Sequence, residues 1–389
     1  MRPLGWAVLL MLVAQPALAQ EPWKASNFPY LMGNPGDGVM FVGRLQWTQN
    51  APYFLSKSDQ VDVINPLTFR GAVSVEAGIG TLGGRLGRIE LRLPGLKPGW
   101  RFQADVGAER TGRFGYFGVG RDLESAANSA DPNAEQFRVH RSRYLARAEV
   151  TRTLTGPLRL AFGAFLDHTR FSALDGTTLF RTRFAAPVGR TNFTLRPALV
   201  FDTRDREFTP SNGILAEVGA GAGSGREQTL GVTDDQSWHG FAYAQVRGYV
   251  SLREGTVLAG RGLVITREGR APLSALSVVP GWEREFNLAG ADGHRSFPAG
   301  ALTGTDVALF SAEIRHDLLN AGDLGAVTVL GFVDYAGAED PRSILKGRTT
   351  QFGGGGGLAV RILRSAVLAM NFAGGPHGFN FSMGTGWAF

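Results

Sequence analysis

The last eleven residues of the chain, Phe379 to Phe389, alternate in character. Phe379, Phe381, Met383, Trp387 and Phe389 are apolar, Thr385 is the exception, and the positions between them are small or polar. A β-strand sends successive side chains to opposite faces, so this spacing predicts a strand with one aromatic face. The same period of two recurs upstream. Val73, Val75, Ala77 and Ile79 alternate with Ser74, Glu76 and Gly78, and Ile89, Leu91 and Leu93 alternate with Arg88, Glu90 and Arg92. Phe102, Ala104 and Val106 alternate with Arg101, Gln103 and Asp105. Segments Leu158–Ala164, Phe193–Phe201 and Leu358–Ile362 follow the same rule, and no segment of the mature chain carries a defensible helical period.

The connectors between these segments are of two kinds. Short ones include Arg110–Arg113, Thr153–Pro157, Leu252–Gly255 and Leu363–Ser365. Long ones include Arg121–Arg138, Ser172–Val188, Ser224–Ser237, Glu268–Thr305 and Ala336–Thr350. Alternation of tight turns with long loops is the habit of outer-membrane barrels. The expected fold is therefore all-β, a transmembrane antiparallel β-barrel of outer-membrane type with about 16 strands. The strands run from Val39–Gln49, through Trp100–Glu109 and Phe114–Gly120, to Gly378–Phe389. An even count returns both ends to the periplasmic side, and closure leaves no backbone polar group facing lipid.

The beginning of the chain supplies an address. Arg2, the apolar run Ala7–Val13 and the small-x-small triplet Ala17-Leu18-Ala19 predict a signal peptide over residues 1–19, cut before Gln20. That run is too short for a membrane span, which takes about 20 residues. Residues 20–37, rich in Pro, Gly and Asn, are expected to be a periplasmic tether, and residues 38–389 the barrel.

Composition narrows the picture. Absence of cysteine excludes disulfide staples, thiolate metal sites and a Cys nucleophile. The 54 glycines disfavour helices and suit close strand contacts. The formal charge is +6, and only Lys24, Lys57, Lys97 and Lys346 are lysines. This arginine excess reflects either a compositional bias or a role in a wet lumen and against anionic outer-membrane lipid and lipopolysaccharide. The basic residues are spread rather than clustered, and the chain is exported, so no nucleic-acid partner is expected.

Asp202-Thr203-Arg204-Asp205 is followed by Thr209-Pro210-Ser211-Asn212-Gly213, strong turn chemistry that the charged run can lock. Ser211-Asn212-Gly213 also resembles a segment of outer-membrane phospholipases, but the position two before Ser211, where they carry a catalytic His, is Thr209 here. Gly78, Gly80 and Gly83 match a dinucleotide fingerprint only as a string, since a strand and not a helix follows. Gly353 to Gly357 lacks the Lys-Ser/Thr of a phosphate loop. The six histidines lack metal-ligand spacing, and Asp234-Asp235 with His239 falls in or beside an expected outer loop. No catalytic residue, metal or cofactor is expected, and no enzyme.

The longest connector is the most informative. Glu268–Thr305 carries Trp282, Phe286 and Phe297, which argue for a loop folded into the lumen. Parity along the two following strands points Glu313, Arg315 and Asp334 inward. Arg295 is the natural cation for the two carboxylates. The alternative is that Glu313 pairs only with Arg315 and the loop is unrelated.

These residues carry a family resemblance. The chain resembles the barrel of the BamA/TamA outer-membrane assembly superfamily, also called the bacterial surface antigen family. Four landmarks match in order: Phe201-Asp202-Thr203-Arg204-Asp205 with the Pro210 to Gly213 turn; His294-Arg295-Ser296-Phe297, similar to the family's Val-Arg-Gly-Phe/Tyr motif; Ala312-Glu313-Ile314-Arg315; and Gly331-Phe332-Val333-Asp334. Ser382, Gly384, Trp387 and Phe389 fit the family's assembly signal. The resemblance covers essentially the whole mature chain. It implies that Arg295, with Phe297 beside it, locks the loop onto Glu313 and Asp334. It implies biogenesis through the barrel-assembly machinery and residence in the outer membrane. Ser296 stands where the family has Gly, and residues 20–37 are expected to be too short for the family's periplasmic repeat domains. Assembly or translocation of other proteins, with a separate periplasmic partner, is thus one expectation. A passive pore lined by Arg88, Arg92, Arg147, Arg261 and Arg361, or a structural protein, is the other.

Overall fold

The structure, a computed structural model, describes residues 23–34, 36–49, 70–118, 134–229, 232–233, 236–282, 284–339, 350–362, 366–375 and 378–389. The expected signal peptide, Asp234, Asp235 and the turn 363–365 lie outside the described residues. One antiparallel sheet closes on itself as a 16-strand barrel. Strand β1 is made of two pieces, Lys24–Asn27 and Tyr30–Asn34, in one register against β2, Gly38–Gln49. Then follow β3 (Gly71–Gly80), β4 (Arg85–Lys97), β5 (Trp100–Gly115), β6 (Arg138–Thr155), β7 (Leu158–Ala173) and β8 (Val188–Asp202). Next come β9 (Gly213–Thr229), β10 (Ser237–Arg253), β11 (Thr256–Gly269) and β12 (Asp306–Asn320). The last are β13 (Gly325–Glu339), β14 (Thr350–Ile362), β15 (Ala366–Gly375) and β16 (Gly378–Thr385).

The expected strand number is right for partly wrong reasons. Lys24–Asn34, assigned to the tether, is the first strand. Pro29 has no N–H to give the ladder and breaks the alternation there, which hides the strand in the sequence. Conversely, Trp100–Glu109 and Phe114–Gly120 are not two strands. Trp100–Glu109 and the start of the second segment, Phe114–Gly115, belong to the single strand β5, with a register irregularity between Thr111 and Phe114. Gly112 reads as a turn residue, but it serves a close approach: a Cβ there would collide with the carbonyl of Leu82. Its N–H donates to Asp37 (3.1 Å), and Arg113 N–H donates to Gly36 O (2.9 Å), so the β1–β2 turn rests on this bulge. The two errors cancel, and from β6 onward the expected strand order is the observed one.

Alternation sorts the side chains. Phe41, Leu45, Ile79, Ile89, Val106, Leu166, Val218, Phe310, Ile314, Val333 and Phe352 are exposed on the outer wall, as a lipid-facing band requires. At the mouth where β1 begins and β16 ends, Trp100 lies under Lys97 (4.9 Å) and Arg152 (5.0 Å). The inner wall is polar and paired. Arg147 donates to Asp105 (2.7 Å), Arg88 faces Asp105 (3.4 Å), Arg92 donates to Glu90 (2.8 Å), and Arg196 pairs with Glu149. Phe114, Tyr116, Val139, Phe171, Phe180 and Val188 form a cluster at the other mouth, where the long loops lie.

Candidate functional site

The turn motif sits between β8 and β9. Asp202 is buried and accepts Arg204 Nε (2.9 Å), Arg204 Nη2 (3.0 Å) and Arg159 Nη1 (3.0 Å). Asp205 accepts the N–H groups of Ser211 (2.9 Å) and Asn212 (3.1 Å) together with the Ser211 hydroxyl. Pro210 is buried within this turn. Gly213 has φ 103°, and a Cβ there would collide with the Thr203 carbonyl. The Ser211 hydroxyl is thus committed to turn geometry.

The loop 270–305 leaves β11 and enters the lumen. Arg267, near the end of β11, holds its root by donating to Gly304 O (2.9 Å) and Val278 O (2.5 Å). Val278–Val279 pairs with Phe286–Asn287 as a small hairpin. The Trp282 side chain is buried at its tip, in a cluster with Ala161, Ala198, Val200 and Leu215. Trp282 N–H reaches both Glu217 oxygens (2.9 and 3.0 Å), and its Nε1 donates to Thr151 (3.1 Å). Glu285 pairs with Arg143 of β6. Burial alone would raise the Glu285 carboxyl, but the facing Arg143 guanidinium outweighs it and holds the pKa below the usual value.

The chain then climbs to Arg295, which is fully buried. Its N–H and Nε each donate to Asp334 Oδ2 (2.9 Å), and its Nη2 donates to Asp334 Oδ1 (2.9 Å). Its Nη1 donates to Glu313. The guanidinium lies 3.5 Å from the centroid of the Phe332 ring. Burial opposes the charged form, but Asp334 and then Glu313 hold Arg295 above its ordinary pKa. Glu313 also accepts Arg315 Nε (2.6 Å), so the local pair and the loop pair coexist on one carboxylate. Phe297 is buried and packs edge-on against His294 (5.0 Å). Ser296 fits against glycines: its Oγ donates to Gly374 O (3.0 Å), and a Cβ at Gly353 would collide with it. The loop thereby spans the lumen, from the β12–β13 wall at Arg295 to the β6 and β9 walls at Trp282.

The final segment departs from the sequence expectation. β16 stops at Thr385, not Phe389. Ser382 faces inward and is buried, and Gly384 has open space around it. Gly386 takes φ 90°, and the chain turns into the lumen. Trp387 lies under Arg315 (4.2 Å), and buried Phe389 lies under Arg261 (4.8 Å). Arg315 Nη2 donates to Phe389 O (2.9 Å). Trp387 and Phe389 therefore leave the lipid-facing row that alternation assigned them, because the positive φ at Gly386 ends the strand and the lumen offers cations to their rings.

Two partners of this site escaped the sequence reading. Asn380 on β16 donates to Arg295 O (2.7 Å) and Phe297 O (3.1 Å). Glu217 receives Trp282. Both were visible only as polar positions on inward faces. Nothing in spacing connects residue 380 to residue 295.

The Omp85 superfamily domain matches residues 70–387. Among solved structures, BamA of Haemophilus ducreyi lacking POTRA domains 1–3 is 12% identical, with 94% of this chain and 70% of that one covered and a TM-score of 0.54. CdiB of Escherichia coli is likewise 12% identical, covering 94% of this chain and 68% of that one, with a TM-score of 0.52. No curated protein matches the chain. At this identity the two structures speak for the fold alone, and the domain match speaks for descent: the chain belongs to the Omp85 superfamily and is one of its outer-membrane β-barrels.

Proposed function

We propose that this barrel aids the insertion or translocation of other proteins at the outer membrane by opening the seam between β1 and β16. The observation that carries the reading is the seam itself. Among the described residues, β1 meets β16 at a single register pair, Gly33 opposite Met383. The neighbouring β15–β16 ladder runs without a break from Leu368–Thr385 to Gly375–Gly378. Separating adjacent strands breaks every ladder step between them, so the barrel opens most easily where it is joined least. Inward turning of Trp387–Phe389 further shortens β16 at the mouth where it ends.

The loop supports the same reading. Arg295 ties it to β12 and β13, and Asn380 ties it to β16, so a moving seam strand pulls on the loop motif. A standing anion pore is less well supported. Arg88, Arg92 and Arg147 face carboxylates, Arg261 donates to the loop carbonyls of Asp292 (2.5 Å) and Gly293 (3.3 Å), and the loop spans the lumen. A separate periplasmic partner would deliver clients, and Ser382, Gly384, Trp387 and Phe389 would label this chain for its own insertion.

Reconstitution tests the proposal. Liposomes carrying the barrel, with periplasmic proteins that co-purify with it, are expected to fold an unfolded outer-membrane barrel client faster than empty liposomes. Equal client folding, together with steady ion conductance while the loop stays protected from protease, would instead identify a pore.

A further inference from the structure

The outer wall carries a row of cations that the lumen does not explain. Arg85 on β4 stands opposite Arg110 on β5, Arg110 opposite Ser142 on β6, and Ser142 opposite Arg170 on β7. All four share strand parity with Ile89, Val106, Tyr144 and Leu166, the exposed apolar side chains of the lipid-facing band. The row lies at the band's border toward the long loops. One step below it are Tyr144 and His168, with ring centroids 6.2 Å apart, and two steps below are Ile89, Val106 and Leu166. The opposite border carries Trp100 with Lys97 and Arg152, so the row marks a membrane interface.

The three arginines are exposed, and among the described residues no carboxylate is paired with any of them. This contrasts with the lumen, where Arg143, Arg147, Arg196 and Arg295 all face acids. Like charges directly opposite each other on adjacent strands are destabilising. Arg85 and Arg110 are such a pair, and they sit at a lipid surface. An anion shared between them removes the repulsion. Guanidinium groups bind phosphate through paired hydrogen bonds, and Ser142 adds a hydroxyl between Arg110 and Arg170. Neighbouring strands lie about 4.8 Å apart, so the row from β4 to β7 is about 14 Å wide, the scale of one lipid headgroup.

We propose that Arg85, Arg110, Ser142 and Arg170 bind the phosphorylated headgroup of a membrane lipid, whose acyl chains lie along Ile89, Val106 and Leu166. The inference rests on the membrane placement of the barrel and not on seam opening. Native mass spectrometry of the full chain in detergent tests it with three probes: a diphosphorylated glucosamine glycolipid, the same glycolipid with its phosphates removed, and phosphatidylglycerol. The diphosphorylated form is expected to bind at least tenfold more tightly than the dephosphorylated one. The triple variant Arg85→Gln, Arg110→Gln, Arg170→Gln loses that difference, whereas Arg226→Gln, exposed on β9 away from the row, keeps it. Phosphatidylglycerol binding equal to the glycolipid supports the phosphate site and assigns it to ordinary anionic lipid. Equal binding of both glycolipid forms overturns the proposal, as does unchanged phosphate preference in the triple variant. Retained resistance of the variant barrel to unfolding in detergent without heating shows that it is folded.

Discussion

Asn380 on the last strand donates a 2.7 Å hydrogen bond to the backbone carbonyl of Arg295 in the inserted loop. Its amide also reaches Phe297 O at 3.1 Å. Asn380→Ala removes this amide donor from both contacts, and leaving a buried carbonyl unsatisfied costs about 1–3 kcal/mol. Hydrogen exchange across residues 290–300 is expected to accelerate while the β12–β13 ladder stays protected. Unchanged exchange would show that the clasp is not coupled to the loop.

Arg295→Ala removes the cation shared by Asp334 and Glu313. Breaking a buried pair from one side costs about 3–5 kcal/mol, less where lumenal water relieves the stranded acids. Trypsin is expected to cut the loop 270–305 in the variant and not in the native barrel. Arg295→Lys should behave more like the alanine variant, because a lysine cannot reproduce the forked bonds to Asp334. Full protection in either variant would contradict a lock.

Trp282 closes the lumen from the other side. Trp282→Ala gives up its packing and the Nε1 bond to Thr151, at about 3–5 kcal/mol for a large core truncation. Planar-bilayer recordings are expected to show larger and more frequent conductance steps than the native protein. Identical traces would show that the hairpin does not obstruct the lumen.

The Glu285–Arg143 pair sets a pH dependence. Docking lowers the Glu285 pKa below its ordinary 4.5, so the docked loop favours the charged carboxylate. That contribution is fully present above 4.5 and is lost as pH falls through the docked value. Loop protection against an acid-tolerant protease should therefore be level from pH 7 to pH 5 and fall in more acidic buffer. Glu285→Gln should flatten that fall, and an undiminished acid response in the variant would remove Glu285 from the account.

Ser296 and Gly353 form a size-matched pair. Gly353→Ala drives a methyl into the Ser296 hydroxyl and should lower the thermal midpoint. Ser296→Gly should restore much of it, and a double-mutant cycle reads the coupling. Additive effects would mean that the two positions do not meet.

Parity carried most of what the sequence made readable. Phe310 and Ile314 outside force Glu313 inside, and Val333 and Tyr335 do the same for Asp334. Loop length and buried aromatics marked the inserted segment. Parity failed where the backbone changed. Pro29 masked β1, the Gly112 bulge imitated a turn, and Gly386 carried Trp387 and Phe389 off their face. Asn380 shows a further limit: periodicity says which face a residue occupies, not which distant carbonyl it meets there.

The register pair that joins β1 to β16, Gly33 opposite Met383, offers a direct handle on the seam. The chain has no cysteine, so a staple introduced at Gly33→Cys and Met383→Cys is unambiguous. Directly opposed antiparallel residues lie about 4.5–5.5 Å apart at Cα, within disulfide reach. A Cβ at Gly33 meets Phe381 and Met383 only at ordinary distances of 3.4 and 3.6 Å. Client insertion is measured with the staple oxidised and again after reduction. Loss of insertion on oxidation and recovery on reduction are the predicted result, and full activity with the seam covalently shut would contradict it.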